Sequence, residues 1–185
     1  MKKRVYGFGI TDIQNVTLDY RQHYILWKHL LERCFSEKYH ERYPTAKAFS
    51  IEEEWLTFSN FKDWMEQQNW NKNYINKNII YKNCKHYSKD TCLFVPKHLN
   101  TLFTFPDIKG KDLPIGVYHS KDKKWYISRI TKFGKTYTIG RYKTVNLALK
   151  EYNKEKIKYI EELIQTIYDR KVINALHNYC EKYLK

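Results

Sequence analysis

Residues 115–144 read IGVYHSKDKKWYISRITKFGKTYTIGRYKT, and the fold of the C-terminal half follows from them. Three runs rich in Ile, Val, Tyr, Trp and Thr, Ile115–Ser120, Lys124–Thr131 and Lys135–Tyr142, are separated by the short polar stretches 121–123 and 132–134. Such runs predict strands, and Gly134 suits a hairpin turn. Thr144 then offers an N-cap to a helix carrying Leu147, Ala148, Tyr152, Ile160, Leu163, Ile164 and Ile167. Asp169 caps a last helix with Val172, Ile173, Leu176, Tyr179 and Tyr183 in a stripe. Three antiparallel strands on a helix are near the smallest unit that folds alone.

Charge is concentrated around the same stretch. The 185-residue chain has 34 Lys/Arg against 20 Asp/Glu, a net +14, and residues 101–150 hold 11 Lys/Arg and 3 Asp/Glu. A basic segment of this density is the footprint of a polyanion binder, because each neutralised phosphate releases counterions. Mean hydropathy is −0.76, yet 17 Tyr and 5 Trp supply apolar area for a core. No run approaches the roughly 18 apolar residues of a membrane span, and Met1 to Arg4 are not followed by an apolar signal core. These features predict a cytoplasmic protein. Cys34, Cys84, Cys92 and Cys180 form no C-x-x-C pair. Cys84, His86 and Cys92 could supply three zinc ligands, but reduced buried thiols suit the spacing better.

Upstream, residues 1–20 read as an arm or short strand. Tyr24, Trp27, Leu31 and Cys34 predict a helix over 20–36, extendable through Glu37–Tyr43 until Pro44 ends it. Ser50 and Glu53 fit a capping box for a second helix bearing Trp55, Phe58, Phe61 and Trp64. A short strand or hairpin follows among the asparagines at 71–83, then a turn at 87–92, a strand Leu93–Val95 and a short helix Lys97–Leu102 opened by Pro96. Pro106 and Gly110, with Pro114 just beyond, mark a linker 105–112 between domains 1–104 and 113–185. The fold class expected is α+β: a helical N-terminal half with a ββα unit, then a three-stranded sheet packed on a helix, with a C-terminal helix.

Ile115-Gly-Val-Tyr118, Lys124-Trp125 and Ile139-Gly-Arg-Tyr-Lys-Thr144 with Ala148 and Tyr152 resemble the APETALA/ethylene-response-factor DNA-binding domain over about forty residues. The resemblance implies a sheet that lies in the major groove of double-stranded DNA. The binding residues expected are Tyr118, Lys121, Lys124, Tyr126, Ser128, Arg129, Lys135, Thr138 and Arg141, with Lys132 also on the rim. Strand alternation places Tyr126, Ser128 and Thr138 outward and Trp125 and Ile127 inward; a one-residue slip reverses this. Few arginines face outward by that reading, so the base preference expected is weak or shape-based.

Trp27 to Cys34, Glu54-Trp55 to Trp64, Ile75 to Ile79, and Tyr87 through Val95-Pro96 to Asn100 resemble phage-encoded relatives of HNH homing endonucleases. That resemblance points to a bacteriophage or mobile-element origin. An HNH site needs a His general base and Asp/His/Asn ligands around one divalent metal. The acidic and His positions fall on Asn76 and Lys77, a second acidic position on Asn78, and the last ligand position on Asn100; His86 and His98 are nearby substitutes. Lys77, His86 and Asn100 are thus the catalytic candidates, and Asn76, Asn78 and Asn100 the weak metal-ligand candidates. The reading expected is a degenerate, DNA-binding descendant of such a nuclease, acting as a regulator or inhibitor of host defence. No cofactor is expected for it, and a host defence protein or a ribonucleoprotein is a further expected partner. The alternative is an active HNH homing endonuclease using Mg²⁺ or Mn²⁺.

Overall fold

The structure, a computed structural model, describes residues 4–103 and 113–185; the expected linker at 105–112 lies outside the described residues. The chain forms two compact units, 1–95 and 96–185. The short helix Lys97–Leu102 therefore belongs to the second unit, not to the N-terminal domain expected from sequence.

In the first unit, Ile10 of the arm pairs alongside Thr57, and a single helical turn, α1 (Val16–Asp19), leads into α2 (Arg21–Phe35). Of the stripe read from the sequence, Trp27, Leu31 and Cys34 are buried and Tyr24 partly so; Leu30, outside that stripe, is fully enclosed as well, with Trp55, Phe58 and Phe61. The Trp27 indole N–H donates to the Trp55 carbonyl at 2.6 Å, so the ring is both apolar filler and a satisfied donor. α2 does not run on through Tyr43. Ser36 is extended and its hydroxyl accepts from the Tyr39 amide, which starts a separate helix, α3 (Glu37–Arg42).

The capping box at Ser50 is not made. Ser50 and Ile51 form β1, with the Ser50 and Glu52 amides donating to the carbonyls of Lys85 and Tyr87. A 3-10 turn at Glu53–Leu56 follows with no side-chain cap, and the aromatic α-helix starts later, as α4 (Phe58–Glu66). β2 (Tyr74–Asn76) follows, then β3 (His86–Tyr87), parallel to β1, and β4 (Leu93–Val95), antiparallel to β2.

The second unit opens with α5 (Lys97–Leu102). β5 (Val117–His119), β6 (Tyr126–Lys132) and β7 (Lys135–Tyr142) form an antiparallel sheet in that order. The β6–β7 loop is Phe133–Gly134, both at positive φ (47° and 80°), the type I′ geometry that matches the twist of a hairpin. Thr144 caps α6 (Val145–Ile164) by accepting from the Leu147 amide, and Asp169 caps α7 (Arg170–Tyr183) by accepting from Lys171 and Val172. α6 packs across the sheet. At the hairpin tip the Tyr159 hydroxyl accepts from the Phe133 amide, and Lys132 pairs with Glu155 at 2.8 Å. The α+β class expected is the one found.

Candidate nucleic-acid interface

Residues opposite one another in a sheet share a face, so the strand register sorts the candidate binding residues. Tyr118 pairs with Ile127, and Ile127 with Arg141; Arg129 pairs with Thr138, and Thr131 with Thr136. This is the outer face, and Tyr118, Arg129, Thr138 and Arg141 are exposed on it. Ile127 belongs to the same face yet is only 9% exposed, flanked by Tyr118 and Arg141. The other face carries Val117, Ser128, Gly140 and Ile130 toward α6.

Three expected contacts are therefore corrected, the first being Lys135, which pairs with Lys132 and so belongs to the α6 face at the hairpin tip. Ser128 is fully buried and Tyr126, two residues before it, lies half-buried on the same side, its ring 5.2 Å from that of His119. The slip arises because the helix side mixes small residues with large ones, so side-chain volume does not mark it. Ser128 and Gly140 lie opposite each other there, and Ala148 on α6 is fully buried. A close helix approach favours small side chains, whereas Ile127 is covered from outside by its longer neighbours. Trp125, just before β6, is half-buried.

A β-bulge decides the rest. Ser128 pairs with Gly140 but Arg129 pairs with Thr138, so Ile139 is the extra residue on β7. Thr138 and Arg141 are three apart and would face opposite sides in a regular strand. The bulge returns both to the outer face.

Arg129 stands over the Tyr118 ring, 5.6 Å from its centroid. In the β5–β6 turn the Asp122 carboxylate accepts from the Ser120 hydroxyl and the Lys124 amide, and Ser120 Oγ accepts from the Trp125 amide. That turn exposes Lys121, Lys123 and Lys124. Lys135 is exposed beside the hairpin tip. Among the described residues, Arg129, Arg141, Lys121, Lys124 and Lys135 have no carboxylate within 4.0 Å. Lys132 differs: Glu155 and Glu162 lie 2.8 and 3.9 Å from its ammonium, which removes it from the rim of available charge. Lys123 and Lys143, not singled out from sequence, are exposed as well; the density of lysine was the signal for them.

The ββα-type positions are taken up structurally. Asn76 is buried and its side-chain oxygen accepts from the Asn78 and Ile79 amides at 2.8 and 3.1 Å, closing a turn after β2. Lys77 is 8% exposed, donates to the Cys84 carbonyl and lies 4.5 Å from the Phe49 ring centroid; burial lowers its pKa. His86 Nδ1 lies 2.9 Å from the Ser50 hydroxyl. Asn100 is half-buried on α5, in the second unit. His98, also on α5, has its ring 5.6 Å from that of Phe133, and burial lowers its pKa. This donor set does not suit Mg²⁺ or Mn²⁺: neutral amides, Asn76 and Asn78, stand at the acidic positions, the Asn76 oxygen already holds two N–H groups, and Lys77 brings an ammonium to the His position. Among the described residues, no three His, Cys, Asp or Glu side chains come together as metal ligands.

Of the zinc candidates, the half-buried Cys84 thiol donates to the His86 carbonyl and Cys92 is buried. Burial pushes the Cys34 and Cys92 thiols up to about 12 and that of Cys180 up to about 11. A thiol reacts as its thiolate, so these three are expected to resist iodoacetamide at about pH 8 in the folded protein and to alkylate fully in denaturant. Rapid native-state alkylation of Cys92, read by peptide mass, would contradict the packing described.

Comparison with known proteins finds no matching family model, curated protein or solved structure.

Proposed function

We propose that the outer face of β5–β6–β7 binds double-stranded DNA, mainly through phosphates and with weak base discrimination. One observation carries the reading: Arg129 and Arg141 share an exposed face with Tyr118 and Thr138, and no carboxylate among the described residues pairs with either arginine. Between 113 and 143 the chain has eight Lys/Arg against one Asp, Asp122, which offsets only a small part of the attraction. Two arginines and several lysines supply point charges for phosphate oxygens; hydroxyls of Thr131, Thr136 and Thr138 add short polar contacts.

Binding of this kind is governed by counterion release. With Arg129, Arg141, Lys121 and Lys124 each neutralising a phosphate, log affinity plotted against log salt is expected to fall with a slope of about −4. Fluorescence anisotropy of a labelled duplex between roughly 50 and 200 mM salt measures it. A slope near zero, or no binding at the lowest salt, would remove the proposal. The same protein incubated with plasmid and Mg²⁺ or Mn²⁺ should leave it intact. Cutting that Lys77→Ala and Asn100→Ala both abolish would replace this reading with that of a nuclease.

A further inference from the structure

β7 is an edge strand of eight residues, and its pairing leaves half its backbone polar groups without a ladder. A two-residue I′ hairpin makes the flanking Lys132 and Lys135 a hydrogen-bonded pair, and such pairs alternate along an antiparallel ladder. Tyr137 opposite Ile130 is then the next bonded pair. Thr136 and Thr138 turn their N–H and C=O groups away from β6, toward the open edge. Among the described residues no backbone hydrogen bond from another element reaches 135–142. Edges are usually blunted by shortness, proline, charge or a bulge; β7 has no proline, and its Lys135, its Arg141 and the bulge at Ile139 leave the stretch Thr136–Thr138 between them open.

Beside the same edge lies a cavity of about 360 Å³ lined by Ile130, Lys132, Tyr137, Thr138, Ile139 and Glu155. It sits on the α6 side of the strand, where alternate side chains of an added strand would fall. On the outer side stands Arg141, and at the hairpin end Lys135, both exposed. These charges choose the occupant. A second copy paired antiparallel through a two-fold axis would set this cationic strand against itself, while an acidic strand would be complementary.

We propose that β7 takes up an extended acidic peptide segment as a fourth strand, with apolar side chains over the cavity and carboxylates on the outer side beside Arg141. Backbone pairing would supply affinity, and the alternation of side chains would supply selectivity. This site is the edge of the sheet rather than its face, so it does not rest on duplex binding.

The probe is a fluorescein-labelled ten-residue peptide alternating glutamate with valine; its counterpart alternates lysine with valine. The acidic peptide is expected to bind the full chain in the micromolar range and the basic one not to bind. Amide exchange followed by NMR should slow at Thr136 and Thr138 on peptide addition, with Tyr137 already protected beforehand. Thr136→Pro removes one edge donor and should weaken binding about tenfold; its far-UV spectrum, matched to the parent, checks that the sheet persists. Absence of binding, equal binding of both peptides, or protection mapping elsewhere overturns the proposal. Edge protection that grows with protein concentration and no peptide would assign β7 to a second copy. Protection of the same two amides by a duplex would assign the edge to nucleic acid, and both outcomes also overturn it.

Discussion

Replacing Gly116 with alanine is expected to destabilise the sheet–helix unit by about 3 kcal/mol, lowering its melting temperature by roughly 10–20 °C. Two costs add at this position. The backbone sits at φ +84°, where an L side chain is strained by about 1 kcal/mol. A Cβ there would also lie 2.2 Å from the ring of Tyr152, which is 7% exposed and part of the α6 core. Overpacking of a buried ring costs a further 1–3 kcal/mol or about that. Gly134 provides the internal comparison. Its φ is +80° but nothing lies within 4 Å of the Cβ position, so Gly134→Ala should cost only the backbone strain of about 1 kcal/mol. Thermal unfolding of both variants tests the argument. Equal losses would show that the Tyr152 ring does not press on Gly116. A double change, Gly116→Ala with Tyr152→Leu, should lose less than the sum of its parts, because both alterations act on one contact.

Removing Arg129 and Arg141 together is expected to weaken duplex binding about a hundredfold at low salt and to make the salt slope shallower by about 2. Each arginine lies on the outer face, and neither has an ion-pair partner among the described residues to release first. Lys132→Ala should instead leave affinity and slope nearly unchanged, since Glu155 already neutralises that ammonium, while loosening the tie between the hairpin tip and α6. The contrast separates a specific face from a generally cationic surface. If both variants lost affinity equally, bulk charge would explain the binding and the sheet face would have no special part. The same measurements on duplexes of different sequence should show similar losses, because phosphate contacts carry little base information.

Legibility of the site differed by residue. Arg129 and Arg141 were visible as basic residues in strands, and Thr138 was placed outward. Simple alternation from the large apolar neighbours Trp125 and Ile127 puts Tyr126 and Ser128 outward too. Volume misled: the helix side takes small side chains as well as large ones, and a large one can be buried from the solvent side by its cross-strand partners. Lys132 read as rim charge because its acidic partners, Glu155 and Glu162, are more than twenty residues away in sequence. The Ser50–Glu53 capping pattern failed for a related reason: its backbone donors were claimed by Lys85 and Tyr87, which no local window contains.

Local chemistry by itself determined the elements. Turn-forming Gly134, the caps Thr144 and Asp169, and the aromatic stripe of α2 act over a few residues, so their consequences are written in neighbouring letters. Tertiary structure alone decided which side of each strand meets the helix, through the extra residue Ile139 in the β7 ladder and through the ring of Tyr152 filling the space a side chain at 116 would need. Facing is a property of paired strands and a packed helix, and a shift of one residue in pairing exchanges solvent for core at every position.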